Sequence, residues 1–173
     1  ELQTGRSLGS PASAEGAGTS GTTHIPSDLG GRGLQGFAFS IILMDIDYFK
    51  AVNDTYGHAA GDLALVTLSR ACNAALANRF PGGDAVFSRL GGEEFLVILP
   101  GKHLDQARRI AEDLRRSVAS LCVEAGDRPF SFTISMGVAE FCQGDGDIDG
   151  LLSRADRLLY KAKRDGRNRV VAS

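Results

Sequence analysis

Two apolar runs of strand character, Ala85–Leu90 and Phe95–Leu99, are separated only by Gly91-Gly92-Glu93-Glu94. So short a break carrying two glycines reads as the tip of a β-hairpin, because glycine adopts turn conformations that other residues resist. Without a Cβ at Gly91 or Gly92, a ligand can approach the backbone closely. Strand alternation sends the two carboxylates, Glu93 and Glu94, to different sides. Paired acids on a glycine turn suit a metal-held phosphate, while a plain surface turn would carry the same residues as solvated charge.

The run Phe39-Ser40-Ile41-Ile42-Leu43-Met44-Asp45-Ile46-Asp47 is almost unbroken apolar sequence ending in acids. It reads as a strand buried on both faces of a layered α/β domain. An unpaired carboxylate buried at Asp45 would cost several kcal/mol, so a cation or strong donors should compensate it. The simpler role for Asp45 and Asp47 is to stop the strand or cap the next helix. Tyr48-Phe49-Lys50 then enters a turn, and the polar segment Asn53–Asp62 closes on Gly61-Asp62, a pair that could start a helix.

Beyond Gly61 the periods are regular. Leu65, Leu68, Cys72, Ala75 and Leu76 mark a helix over 62–77, and Leu104, Ala107, Ala111, Leu114, Val118 and Leu121 mark another with a charged outer face. Residues 130–141 read as a strand, 148–163 as a helix and 169–172 as a short last strand. The order is that of an α+β protein with a ferredoxin-like βαββαβ antiparallel sheet, added helices and a C-terminal strand. In such a sheet the end of the first strand lies beside the hairpin tip.

The first 36 residues differ from the rest: Gly, Ser, Ala and Thr dominate 9–33, two prolines interrupt, and no apolar period can be traced. This is linker or loop composition, which leaves 37–173 as the folded domain. At 43% hydrophobic, the 173 residues can bury one sizeable core and little more. A net charge of −2 gives no basic surface for nucleic acid. Cys72, Cys122 and Cys142 are odd in number and lack metal-ligand spacing, so they read as reduced thiols. No apolar run approaches the roughly 18 residues needed to cross a bilayer. The chain opens on Glu1 rather than Met, which reads as a fragment with a sensor or regulatory domain upstream.

Met44-Asp45-Ile46-Asp47-x-Phe49-Lys50, Asn53-Asp54, Gly57-His58-x-x-Gly61-Asp62, Gly91-Gly92-Glu93-Glu94-Phe95 and Tyr160-x-Ala162-Lys163-x-x-Gly166-Arg167-Asn168 together resemble the GGDEF family of diguanylate cyclases, in its GGEEF form. The resemblance spans about residues 38–172, with the motifs in family order and nearly family spacing. It implies a palm-type sheet like that of the nucleotide cyclases, GTP as substrate, cyclic di-GMP as product, Mg²⁺ or Mn²⁺ as cofactor, and a homodimer as the active state. It also implies a catalytic domain on the cytoplasmic side, in a full-length protein that can be membrane-anchored. Residues 1–6 keep only Thr4-Gly5 and a leading acid of the family's opening segment.

The same resemblance assigns roles. Asp45 and Glu93, with the Ile46 carbonyl and Glu94, would hold metal; Glu93 would also help deprotonate the attacking hydroxyl, and Lys50 would neutralise developing charge. Asn53 and Asp62 would read guanine, whose N1–H and N2–H donors suit a carboxylate and an amide. His58 lies near the nucleotide in the family, although alone it reads as a turn residue. Tyr48 and Phe49 would offer backbone N–H groups to phosphates, Gly91 and Gly92 would let substrate approach, and Lys163 and Arg167 would reach phosphates. Many members carry an inhibitory Arg-x-x-Asp five residues before the Gly-Gly turn, where this chain has Gly82 and Ala85. Arg79 and Asp84 could rebuild that site only through a bulge at Pro81-Gly82-Gly83. Other readings are a catalytically degenerate receptor for GTP or cyclic di-GMP, a product-binding effector, and a ferredoxin-like nucleic-acid binder. The complete set of motif acids argues against the first two.

Overall fold

Five strands and four α-helices follow one another in the computed structural model, which describes residues 38–126 and 128–173. They are β1 (Phe39–Ile46), α1 (Phe49–Tyr56), α2 (His58–Arg79), β2 (Val86–Gly91), β3 (Glu94–Pro100), α3 (Leu104–Ala119), β4 (Ile134–Glu140), α4 (Ile148–Arg164) and β5 (Val170–Ala172). The strands form one sheet in the order β2-β3-β1-β4-β5. β1 runs antiparallel to β3 and β4, while β5 lies parallel to β4. The first four strands carry the expected ferredoxin-like order, and β5 is the added C-terminal strand. The atypical opening segment, 1–36, lies outside the described residues.

The central strand β1 is buried on both faces, as its continuous apolar run predicts. Its side chains alternate with period two. Ile42, Met44 and Ile46 enter the larger core with Leu65, Leu68 and Cys72 of α2 and Ile110 and Leu114 of α3. Ile41 and Leu43 enter a smaller core with Leu151, Ala155 and Leu159 of α4. Fully burying such aliphatic side chains is worth about 1.5–3 kcal/mol each, so both layers hold the sheet. A Cβ at Gly137 of β4 would overlap the Ala155 carbonyl and stand 2.5 Å from Leu159 N, so α4 sits this close only because residue 137 is glycine.

The structure departs from the sequence expectation in three places. The segment read as a turn and polar loop after Asp47 is a helix, α1, and α2 begins at His58 rather than near Asp62. A glycine inside a helix costs about 1 kcal/mol, which is why Gly61-Asp62 looked like a start signal. The strand expected from residue 130 begins at Ile134, while Phe130 makes only an isolated bridge to Val123.

Candidate active site

Period two places Asp45 on the same face of β1 as Ile41 and Leu43, which is the α4 face. Leu151, Ala155 and Leu159 are the residues that α4 turns to that face, and Lys163 follows Leu159 by one helical step of four. Its Nζ lies 2.8 Å from Asp45 Oδ2. Across the sheet, Asp45 pairs in register with Glu94 at the base of the β2–β3 hairpin. The end of β1 therefore meets the hairpin tip, as the topology required. Asp45 is only 5% exposed. Burial pushes its carboxyl up to about 6; Lys163 pulls the other way, and the charges of Glu93 and Glu94 raise it further.

Glu93 is half-buried and Glu94 exposed, on a turn in which Gly92 takes φ +52°. The tip is braced by a residue that motif reading passed over. Arg89 donates from Nε (2.8 Å) and Nη2 (2.5 Å) to the Gly92 carbonyl, and the register shifts between Arg89 and Gly91.

The donor chemistry fits a hard divalent cation. Among the described residues no three His, Cys, Asp or Glu side chains gather into a complete protein cage. Mg²⁺ commonly takes only one or two carboxylates and fills its octahedron with water and phosphate oxygens. Burial above all, and the charges of Glu93 and Glu94 besides, raise the Asp45 carboxyl, and a cation there would favour its ionised form. The Ile46 side chain is 1% exposed in the core, which leaves its carbonyl as the candidate ligand.

Most of the remaining candidates fall into two groups. Tyr48 caps α1 in a left-handed conformation, φ 56°, and is 65% exposed. The guanidinium of Arg167 sits 4.3 Å from the centre of its ring. The first N–H groups of α1, beginning at Phe49, have no intrahelical partners, which makes this corner suited to anions. Asn53 of α1 lies against Gly61 of α2, where a Cβ would overlap Asn53 Oδ1 and approach Phe49 Cζ to 3.3 Å. Gly61 thus makes the shelf on which the carboxamide rests, next to exposed Asp62. His58, which the resemblance places near the nucleotide and which alone reads as a turn residue, is the exposed first residue of α2.

Two candidates stand with other partners. Lys50 pairs with Asp54, one helical turn on, at 3.0 Å, and both are exposed. Arg79 donates to Asp113 of α3 at 2.7 Å. Asp84 is exposed beyond the turn closed by Gly83 N–H to the Phe80 carbonyl.

Asp47 is a functional candidate that sequence reasoning left as a strand stop. It is 3% exposed and accepts from Thr133 Oγ1 (2.7 Å), Ser135 Oγ (2.6 Å) and Asn168 N (3.0 Å). Its place two residues after Asp45 was the only local signal.

A family model described as "Diguanylate cyclase, GGDEF domain" matches residues 29–169. Diguanylate cyclase DgcM of Escherichia coli K12 is 45% identical over 135 residues, 78% of this chain and 31% of that protein. Diguanylate cyclase VdcA of Vibrio cholerae is 45% identical over 135 residues, 76% of this chain and 38% of that protein. The chain thus spans about a third of the length of these relatives. Among solved structures, the GGDEF domain of DgcB from Caulobacter crescentus in complex with c-di-GMP superimposes with TM-score 0.73 at 32% identity, covering 80% of this chain and 79% of that one. The active GGEEF domain of a diguanylate cyclase from Vibrio cholerae gives TM-score 0.69 at 34% identity, covering 78% and 82%.

Proposed function

Since the chain belongs to the GGDEF family of diguanylate cyclases, we propose that it condenses two GTP molecules into cyclic di-GMP with release of two pyrophosphates. The observation that carries this reading is the buried Asp45 carboxylate, held by Lys163 at the end of β1 and paired in register with Glu94 of the β2–β3 hairpin. In each half-reaction a 3′-hydroxyl oxygen bonds to the α-phosphorus of the other GTP. The bond from that phosphorus to the bridging oxygen breaks, and pyrophosphate leaves.

Asp45, Glu93, Glu94 and the Ile46 carbonyl would hold Mg²⁺ or Mn²⁺. When bound, the ion would neutralise charge on the α-phosphate and favour ionisation of the hydroxyl. Glu93, only half-buried, would accept the hydroxyl proton, and Glu94 would orient the site. Arg167, Lys163 and the free N–H groups at the start of α1 would bind the triphosphate, with His58 nearby and Gly91-Gly92 admitting it to the hairpin tip. Lys50 would turn from Asp54 to the developing charge. Asn53 and Asp62, flanking Gly61, would take the guanine edge. A site lined by acceptors rejects adenine, which lacks the donor pair, by leaving them unpaired at about 1–3 kcal/mol.

The product is symmetric in two nucleotides, so two copies of the domain would face each other across a two-fold axis. An upstream sensor would control that meeting. No helix among the described residues is long and apolar enough to cross a membrane; the catalytic domain would act on the cytoplasmic side, with any anchor elsewhere in the protein.

Incubation with GTP and Mg²⁺, followed by chromatography for cyclic di-GMP and pyrophosphate, tests the reading. Asp45→Ala and Glu93→Ala should each lose at least ~10²-fold in rate, the scale of removing one principal electrostatic stabiliser. Near-normal synthesis by either variant, with unaltered circular dichroism, removes that residue from the mechanism.

A further inference from the structure

Three non-glycine residues among those described take left-handed backbone conformations: Tyr48 (φ 56°), Arg167 (φ 61°) and Asn168 (φ 44°). Asparagine tolerates this conformation, but for Tyr48 and Arg167 it is unfavourable and persists where the surroundings enforce it. All three meet at one corner of the molecule. Arg167 lies over the Tyr48 ring, with its Nη1 3.4 Å from the Tyr48 hydroxyl. Asn168, next in the chain, donates its backbone N–H to Asp47 Oδ2 at 3.0 Å, and Asp47 directly precedes Tyr48.

The carboxylate at the centre of this corner is committed on both oxygens. Ser135 Oγ takes Oδ1 at 2.6 Å, and Thr133 Oγ1 shares Oδ2 at 2.7 Å with the Asn168 N–H. Buried and triply bonded, Asp47 has little left to offer a metal, although it stands two residues from Asp45 in an acidic motif. A second pin comes from outside the corner. Arg115 of α3 donates from Nη1 to the Asn168 side chain at 2.8 Å and is itself steadied by Glu112 at 3.0 Å.

We propose that Asp47 is a positioning residue for nucleotide binding: it locks the Arg167-Asn168 loop in its left-handed form and so aims Arg167 over Tyr48 at the triphosphate, with Arg115 as a second pin. The inference rests on the reading that Arg167 binds GTP phosphates. A plain role in folding would weaken the protein without acting through Arg167, and that difference is measurable.

The test is a double-mutant cycle read on KM for GTP and on binding of a non-hydrolysable GTP analogue by calorimetry. Arg167→Ala should weaken binding by about 10- to 100-fold, as loss of a charge-assisted contact to phosphate does. Asp47→Asn should raise KM by about 10-fold while kcat at saturation stays within about threefold, the pattern of a lost binding interaction. Arg115→Met should raise KM less, by about 3-fold. The deciding result is non-additivity: Asp47→Asn and Arg115→Met should each add almost nothing in the Arg167→Ala background. Full additivity of both overturns the positioning role. Should Asp47→Asn fail to fold, the Arg115→Met cycle decides alone, because Arg115 lies outside the buried knot. Wild-type binding by Arg167→Ala overturns the phosphate reading itself, and the positioning role with it.

Discussion

The Nζ of Lys163 lies 2.8 Å from Oδ2 of Asp45, so the lysine proposed for phosphate rests on the carboxylate proposed for metal. For Asp45 to hold a cation, Lys163 would have to leave the carboxylate, and its ammonium would then be available to the triphosphate. In Lys163→Met the buried Asp45 loses its counter-charge, and breaking a partly buried pair should cost about 1–3 kcal/mol of stability in metal-free protein. Without nucleotide, the variant should bind Mn²⁺ about tenfold more tightly than wild type, because the resident competitor has gone. Its thermal midpoint should therefore rise more with Mn²⁺. Calorimetry and thermal melts check both; equal Mn²⁺ affinity would show that the lysine does not compete.

Arg154 of α4 ties Ser173, just after β5, to the loop after β4, donating to Asp145 at 2.8 and 2.9 Å, to the Ser173 carbonyl at 2.5 Å and to the Glu140 carbonyl. The hydrogen bond from Arg154 holds the Asp145 carboxyl down at about 2, against the usual value of 3.8. A folded-state value below the unfolded one stabilises the fold above the unfolded value, and that stability disappears as pH falls through the folded one. Asp145→Asn should cost about 1–3 kcal/mol at pH 7. In urea titrations its deficit against wild type should shrink between pH 4 and pH 2; a constant deficit would mean the ion pair is not its source.

Assembly is checked by dilution. With one proposed nucleotide site per domain and a product built from two nucleotides, specific activity should climb with protein concentration. Flat specific activity down to nanomolar protein, with light scattering showing only monomer, would contradict a shared site.

Product feedback should be weak. The family register needs Arg and Asp where the chain has Gly82 and Ala85, and the nearby Arg79 is engaged by Asp113 at 2.7 Å. Cyclic di-GMP would have to break that pair to gain a guanidinium, so calorimetry should give binding weaker than micromolar. Sub-micromolar binding abolished by Arg79→Ala or Asp84→Ala would show that the segment between them rebuilds an inhibitory site.

The strongest periods in the chain fixed its frame. β1 and β3 declared themselves as continuous apolar runs, and α3 and α4 by apolar residues recurring every three or four, patterns that each element carries locally. The candidate acids stood out by position, Asp45 and Asp47 at the end of an apolar run and Glu93 and Glu94 on a glycine turn, but position alone did not separate a site residue such as Asp45 from a buried hydrogen-bond acceptor such as Asp47. Local pattern could not show α1, a helix of only eight residues, or the start of α2, where Gly61 trades helix propensity for contact with Asn53. Nor could it show whom the charged groups would meet. Asp47 finds Ser135 and Asn168 at separations of 88 and 121 residues, and Lys163 finds Asp45 only because α4 packs against the face of β1 that carries it. Sequence determines which residues must be buried or charged; the sheet order decides which of them touch, because contact depends on the path of the whole chain.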